Sequence, residues 1–409
     1  MNSEKLDFGH QKYTTKQEGT VKFLIHEIDD DAIPSKSMNV FYNKKMEINR
    51  DISILATLAY RKLFHQESLV IVDTMAASGI GSIRIIKNIE NIKKIYLNDI
   101  NTIAVDLIRN NLKLNEVKSE QYVVINKDAN LLLLELSQNS ALPNVISIDP
   151  FGTPNLYIDS AVKTIKKDKG LLCITATDTA VLFGIKPKAC IRKYLAKPLH
   201  TDYCKEIGAR ILLSFISRIA NINNLGLIPL LTFYSNHFIR VFAITFKGKS
   251  EIQKNLPKNY GYIVHCKSCG NRSIINDDLL SFPQECSICL SETHLSFSGP
   301  LWVGELHQKS YLEELSQLNE KFNFKNKNRL RKVLKFALDE INMPISYFNI
   351  HKISQQLKLK SIPKLEQLIK WIKEKGYKAS RTHFDFVSIK TNLKIDELKT
   401  ILKKYEKLN

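Results

Sequence analysis

Between residues 69 and 175 the chain sets short apolar runs against longer amphipathic stretches. Leu69-Val70-Ile71-Val72, Lys94 to Asn98, Tyr122 to Asn126, Val145 to Ile148 and Gly170 to Thr175 have the length and β-branched content of buried strands. Helical patterns lie between them at about Ser82–Asn88, Asn101–Leu114, from about Asn130, and at about Tyr157–Lys166. Strand and helix alternate, so the pattern predicts a parallel doubly wound α/β sheet with ligands at the carboxyl ends of its strands. Two further runs, Leu227 to Tyr234 and Ile239 to Phe246, are separated only by Ser235-Asn236-His237-Phe238, and so short a link forces an antiparallel pair. Beyond residue 300 the period is helical at about Gln308–Glu320, Lys327–Glu340, Ile350–Leu357 and Ile362–Lys375, followed by a basic ribbon from Gly376 to Asp385.

The strand ends carry the candidate chemistry. Ile148-Asp149-Pro150-Phe151-Gly152-Thr153-Pro154 puts a carboxylate and a backbone carbonyl, both acceptors, beside a flat apolar ring. That is a seat for an amino group on a heterocycle: two acceptors on its hydrogens return electron density to a nitrogen whose lone pair is delocalised, and the ring stacks on the base. The plainer reading is an acidic strand end turned by Pro and Gly. Upstream, Asp73 leads into the small-residue turn Thr74-Met75-Ala76-Ala77-Ser78-Gly79-Ile80-Gly81, a backbone that lets a ligand come close. Asp99 at the next strand tip suits the two hydroxyls of a ribose, and Asp128-Ala129 suits an adenine edge. Taken alone, Asp73 and Asp128 each read more readily as a helix cap than as a ligand.

Order along the chain turns these fragments into a resemblance. Val40-Phe41-Tyr42-Asn43 with Asn49-Arg50-Asp51, Asp149-Pro150-Phe151-Gly152-Thr153-Pro154, Thr175-Ala176-Thr177-Asp178-Thr179-Ala180, Cys190-Ile191-Arg192-Lys193-Tyr194, Glu206-Ile207-Gly208-Ala209-Arg210 and Gly299-Pro300-Leu301-Trp302 together resemble the tRNA guanine-26 N2-dimethyltransferase family in its archaeal form. The resemblance runs from about residue 18 to about residue 390. It implies a class I S-adenosylmethionine-dependent methyltransferase fold, a Rossmann-like sheet ending in an antiparallel hairpin, that dimethylates N2 of guanine 26 in tRNA. By resemblance Asp149 is the catalytic residue, Pro150 and Phe151 meet the base, and Arg50, Asp73, Ser78, Asp99, Asp128 and Ala129 hold the S-adenosyl-L-methionine. Gly81 stands where the family often has Arg, with Arg84 the nearest Arg. Asp178 reads as a support for the site or as a helix cap. Methylation of adenine or cytosine amines in DNA or RNA, and a non-catalytic zinc and winged-helix nucleic-acid-binding protein, are the alternative readings.

Composition adds a metal and a partner. Cys266-x2-Cys269 and Cys286-x2-Cys289, 16 residues apart, have the spacing of a four-thiolate structural zinc site; disulfides are the alternative, and nothing in the sequence points to an oxidising compartment. His265 and His294 flank the knuckles as bystanders, and Cys173, Cys190 and Cys204 read as buried thiols. The 409 residues carry a net charge of +19, and residues 301 to 409 hold 23 basic against 12 acidic residues. Uneven positive charge favours a phosphate backbone, so tRNA is the expected partner, with Lys378, Arg381 and Lys390 of the ribbon as candidate phosphate contacts; a solvated Lys-rich face is the plainer alternative. The expected division is a methyltransferase domain over residues 1–255 and a smaller α+β zinc-binding and tRNA-binding domain, with a winged-helix-like region, over residues 256–409. No apolar run is long enough to span a membrane, the start lacks a secretory pattern, and a cytoplasmic protein without an obligate protein partner is expected.

Overall fold

A computed structural model describes residues 5–8, 11–26, 38–138, 142–276 and 282–408. Met1-Asn2-Ser3-Glu4, on which the expectation of no secretory leader partly rests, lie outside them. The chain opens with an antiparallel meander, β1 (Lys5–Phe8), β2 (Gln11–Glu18) and β3 (Val21–His26), and the long helix α1 (Glu47–Leu63). The alternating region then folds as β4 (Leu69–Asp73), α2 (Ile80–Asn88), β5 (Ile92–Asn98), α3 (Thr102–Leu114), β6 (Tyr122–Ile125), α4 (Ala129–Ser137), β7 (Val145–Ile148), α5 (Ile158–Thr164) and β8 (Leu171–Ala176). After α6 (Thr179–Leu182), α7 (Pro187–Tyr194) and α8 (Cys204–Ile222), the hairpin β9 (Leu225–Ser235) and β10 (Phe238–Lys247) closes the sheet.

The seven strands lie in the order β6-β5-β4-β7-β8-β10-β9. All neighbours from β6 to β8 are parallel, and β10 runs antiparallel to both β8 and β9. The order reverses between β4 and β7, and at such a switch point the connections leave to opposite faces and open a crevice above the strand ends. Every residue of β8 is buried, as a central strand covered on both faces requires. The fold is the class I methyltransferase arrangement expected from the sequence.

The carboxyl-terminal third continues with α9 (Lys249–Asn259), a second sheet of β11 (Tyr260–Cys266), β12 (Arg272–Asn276) and β13 (Leu295–Trp302), then α10 (Lys309–Lys321) and α11 (Lys327–Asp339). β14 (Phe348–Asn349), α12 (Ile350–Gln356), α13 (Leu365–Glu374), β15 (Ala379–Arg381), β16 (Ser388–Thr391) and α14 (Ile395–Leu408) complete it. The sheet order β14-β16-β15 with two helices between its first two strands is winged-helix-like.

Apolar contacts cross residue 255. Tyr311, Leu312 and Leu315 of α10 and Leu330 and Leu334 of α11 share one core with Ile48, Ile52 and Leu55 of α1, and the Tyr311 hydroxyl donates to the Ala56 carbonyl at 2.7 Å. Leu301, Trp302, Tyr347 and Phe384 share another with Ile207 and Ile211 of α8. At about 1.5–3 kcal/mol for each buried side chain, these contacts fix the carboxyl-terminal elements against the seven-stranded sheet and its helices.

Candidate active site and metal centre

Above the ends of β4, β5 and β7 lies a cleft of about 770 Å³. Arg50, Asp73, Ser78, Asp99, Asp128, Ala129, Asp149, Pro150 and Phe151 all line it, as do Phe41, Asn49, His237 and Arg240. Gly79, just before α2, takes φ +77°, and a Cβ there would lie 3.2 Å from Ile108 Cγ1, so the turn packs closely on α3. Asp149 follows β7, and Asn49 Nδ2 donates to its Oδ2 at 3.0 Å. The half-exposed Phe151 ring meets Phe41 edge to face, with centroids 4.6 Å apart and planes at 79°. Two rings at a cleft mouth offer a flat ligand an apolar wall beside the carboxylate.

Burial raises the carboxyls of Asp149, Asp99 and Asp73, the last to about 6. Arg240 and a hydrogen bond from the Thr175 hydroxyl oppose the rise at Asp149. Asp99 accepts from the Ala77 and Asn101 amides at 2.9 and 3.0 Å, and Asp73 from the Ser82 hydroxyl at 2.6 Å. Asp128 caps α4, accepting from the Asn130 and Leu131 amides at 2.8 and 3.3 Å. The cleft therefore gathers carboxylates with few cations, a setting for a positively charged ligand.

Arg50 is tied inside the protein. Its Nε and Nη2 reach Glu18 at 2.8 and 2.5 Å. Arg84 binds the other side of Glu18 at 3.0 Å and Asp51 at 2.5 Å. Burial would raise the Glu18 carboxyl, but Arg50, Arg84 and the Tyr42 hydroxyl outweigh it and hold it low. Arg84 is 2% exposed and does not line the cleft, so it does not stand in for the family Arg at Gly81. A Cβ at Gly81 would instead lie 3.9 Å from Arg50 Cγ.

The four knuckle cysteines converge. Cys266 Sγ is 3.6 Å from Cys289 Sγ, and Cys269 Sγ is 3.6 Å from Cys286 Sγ. A tetrahedral zinc with bonds of about 2.3 Å has sulfurs about 3.8 Å apart, so the donors present fit one closed ion. In each half a backbone amide folds back: Gly270 donates to the Cys266 carbonyl at 2.9 Å, and Leu290 to the Cys286 carbonyl at 2.8 Å. His265 faces the Tyr203 hydroxyl at 3.1 Å and His294 the Ser291 hydroxyl at 2.9 Å, and neither joins the cluster. Cys269 and Ile288 pack against the core of the winged-helix-like region, so a metal here would brace that region.

The family model for N2,N2-dimethylguanosine tRNA methyltransferases matches residues 19–403. The chain belongs to that family. A tRNA (guanine(26)-N(2))-dimethyltransferase from Methanosphaera stadtmanae is 36% identical over 94% of this chain and 95% of its own length. A tRNA (guanine(26)-N(2)/guanine(27)-N(2))-dimethyltransferase from Aquifex aeolicus is 32% identical over 96% of this chain and 95% of its own. The solved structure of Trm1 from Pyrococcus horikoshii with S-adenosyl-L-methionine superposes with a TM-score of 0.80 at 30% identity, covering 95% of this chain and 99% of that one.

Against the family motifs, the structure brings the predicted cleft residues together and displaces others. Asp178 begins α6 without capping it; its carboxylate accepts from the Tyr194 hydroxyl at 2.7 Å and pairs with Lys193 at 3.2 Å. Tyr194 in turn accepts from the Thr153 hydroxyl at 3.1 Å, so Asp178 braces the loop after Phe151. Lys390 is corrected as a phosphate contact: it is 2% exposed and bonded to Glu206 at 2.8 Å, since β16 is buried along its whole length. Arg381 is likewise held by Glu366 and the Phe386 carbonyl, which leaves Lys378 exposed. Sequence reasoning missed roles for Asn49, His237 and Arg240. Arg240 carried a legible signal, a charge inside the apolar run Phe238-Ile239-Arg240-Val241-Phe242.

Proposed function

We propose that this chain transfers two methyl groups in turn from S-adenosyl-L-methionine to N2 of guanine 26 in tRNA, with Asp149 as the catalytic residue. The observation that carries the reading is the seat itself: a carboxylate steadied by Asn49 at 3.0 Å, next to the Phe41–Phe151 aromatic corner. When bound, S-adenosyl-L-methionine supplies an electrophilic methyl on a positively charged sulfur. Asp99 takes the ribose hydroxyls, Asp128 and Ala129 the adenine end, and Asp73, Ser78 and Arg50 the remainder of the donor. Phe151 and Phe41 hold the base after it leaves its stack. Asp149 and the Pro150 carbonyl accept from the amino group, and Asp149 takes the proton as the nitrogen–carbon bond forms, which keeps the nitrogen's electrons available for attack.

Residues 1–255 hold donor and base in this reading, and residues 256–409 carry zinc and grip the tRNA body in a cytoplasmic setting. The test is nucleoside mass spectrometry of unmodified tRNA incubated with the protein and labelled donor. Labelled N2,N2-dimethylguanosine is expected, and label on adenine or cytosine would overturn the base assignment. Asp149→Ala should cut transfer by at least about 10²-fold while donor binding persists; near-normal turnover would overturn the role given to Asp149.

A further inference from the structure

Arg240 sits on β10, between β8 and the edge strand β9, 2% exposed in an apolar strand. No carboxylate lies within ion-pair distance of it among the described residues, although burying an unpaired guanidinium is costly to the fold. Its hydrogen bonds all go to hydroxyls: Nη1 donates to Thr175 Oγ1 at 2.5 Å, and Nη2 to Ser53 Oγ and Ser147 Oγ at 3.3 Å each. Register explains the first bond, because Arg240 of β10 is the direct cross-strand partner of Thr175 in β8. Ile174 is likewise paired with Ile148, so Thr175 stands beside Asp149.

The direction of the relay follows. An arginine only donates, so the Thr175 oxygen accepts from Arg240, and its hydroxyl proton is left free for the Asp149 carboxylate beside it across the β7–β8 pair, whose charged form Thr175 favours. We infer that Arg240, acting through the Thr175 hydroxyl, is a positioning residue that fixes the orientation and the charged state of Asp149 for proton uptake from the substrate amine. The inference rests on the reading of Asp149 as catalytic base. Other groups face the same carboxylate from every neighbouring element: Asn49 and Arg50 from α1, His237 from the β9–β10 turn, and Asp73 from β4. Burial and Lys45 hold the His237 ring toward its neutral form, Arg50 is shared with Glu18, and Asp73 has the wrong sign. Arg240, which also acts on Asp73, is thus the buried cation that reaches Asp149 without an ion-pair partner of its own among the described residues.

The test compares pH profiles of kcat for Arg240→Gln, Thr175→Val, Thr175→Ser and Asp149→Asn, with donor affinity measured alongside. Losing the relay raises the pH at which Asp149 gives up its proton, so the acid limb should move up by about one pH unit in Arg240→Gln and by less in Thr175→Val. Activity should recover at higher pH, and Thr175→Ser should restore the native limb. Donor affinity should hold or strengthen, since the lost charge has the donor's own sign. A purely structural role would lower kcat equally at every pH, and an unmoved acid limb in folded Arg240→Gln or Thr175→Val would overturn the inference. If Arg240→Gln does not fold, Thr175→Val carries the test alone. If Asp149→Asn keeps near-native turnover, the reading of Asp149 has failed and not the relay.

Discussion

Two buried clusters of charge in this chain are built on opposite plans. In the cleft, Asp73 and Asp149 face Arg240 and Asp99 acts on Asp73, and burial drives all three carboxyls up. The second cluster joins α8, α11 and the ribbon: Glu206 binds Arg210 at 2.9 Å and Lys390 at 2.8 Å, while Glu340 binds Lys390 at 3.3 Å and His383 Nδ1 at 2.8 Å. Burial would raise these two acids as well, but Lys390 with Arg210 holds Glu206 low, and His383 with Lys390 holds Glu340 well below the carboxylate range. His307 lies against His383, ring centroids 5.1 Å apart, and burial keeps it from protonating. Each of the two acids already meets buried donors, Glu206 at Arg210 and Lys390, and Glu340 at Lys390 and His383. A deficit of cations facing a cavity marks a place prepared for a charged ligand, whereas buried acids each met by a buried cation mark a weld between layers.

The sharpest way to separate ligand-ready from closed centres is to empty a closed one. If Cys266, Cys269, Cys286 and Cys289 hold structural zinc, elemental analysis gives about one zinc per chain. Chelation or Cys286→Ser then unfolds the knuckles, because the binding energy of such a site, on the order of 10 kcal/mol, is folding energy. Methyl transfer per folded molecule falls less than stability does. Metal-free protein with an unchanged melting profile would remove zinc from the account. The weld comes next. Lys390→Met leaves Glu206 with Arg210 and Glu340 with His383, each buried acid short of the shared ammonium, and should cost about 3–5 kcal/mol in denaturant unfolding, with donor binding in the folded fraction unchanged. A loss under about 1 kcal/mol would mean that the cluster is hydrated and not a weld.

The same contrast explains what the sequence made legible. The sheet and the knuckles are local in sequence: apolar runs of strand length and paired Cys-x2-Cys are readable without knowing what they touch. The cleft acids were readable because each ends a strand, where the topology puts ligands. The weld was not, since Glu206, His307, Glu340, His383 and Lys390 come from segments far apart and each alone looks like an ordinary surface residue. For the same reason Lys390 read as a phosphate contact, and α10 and α11 read as part of a separate carboxyl-terminal unit although their apolar faces complete the core around α1. Arg50 and Arg84 had motif neighbours, but only the fold shows that Glu18 of β2 engages both.

A milder test acts on the cleft. Asp73 has a folded-state pKa of about 6 against an ordinary value of 3.8, so the ligand-free fold favours its protonated form. Its contribution to stability is fully present below about pH 4 and is lost as pH climbs through about 6. Asp73→Asn should remove that slope and stabilise the ligand-free protein at pH 7 by on the order of 1–2 kcal/mol, while weakening donor binding. Thermal melts of both proteins from about pH 4 to 8 read the difference, and parallel pH curves would show that Asp73 is ionised without penalty.

The smallest expected effect lies on the ribbon, where the balanced interior ends and the solvated positive surface begins. Deleting residues 301 to 409 does not isolate that surface, because α10 and α11 belong to the core of the catalytic half. A single exposed charge does. Lys378 projects from the turn before β15, its Nζ donating to the Asn342 carbonyl at 3.3 Å. If it touches a tRNA phosphate, Lys378→Ala should weaken binding a few-fold and lower the slope of log affinity against log salt by about one, with donor affinity and stability unmoved. Lys390→Met gives the internal control: its charge is buried, so whatever it does to stability, the salt slope of the folded fraction should stay as it was. An unchanged slope in Lys378→Ala would place the phosphate contacts elsewhere, leaving the ribbon as the outer face of the weld.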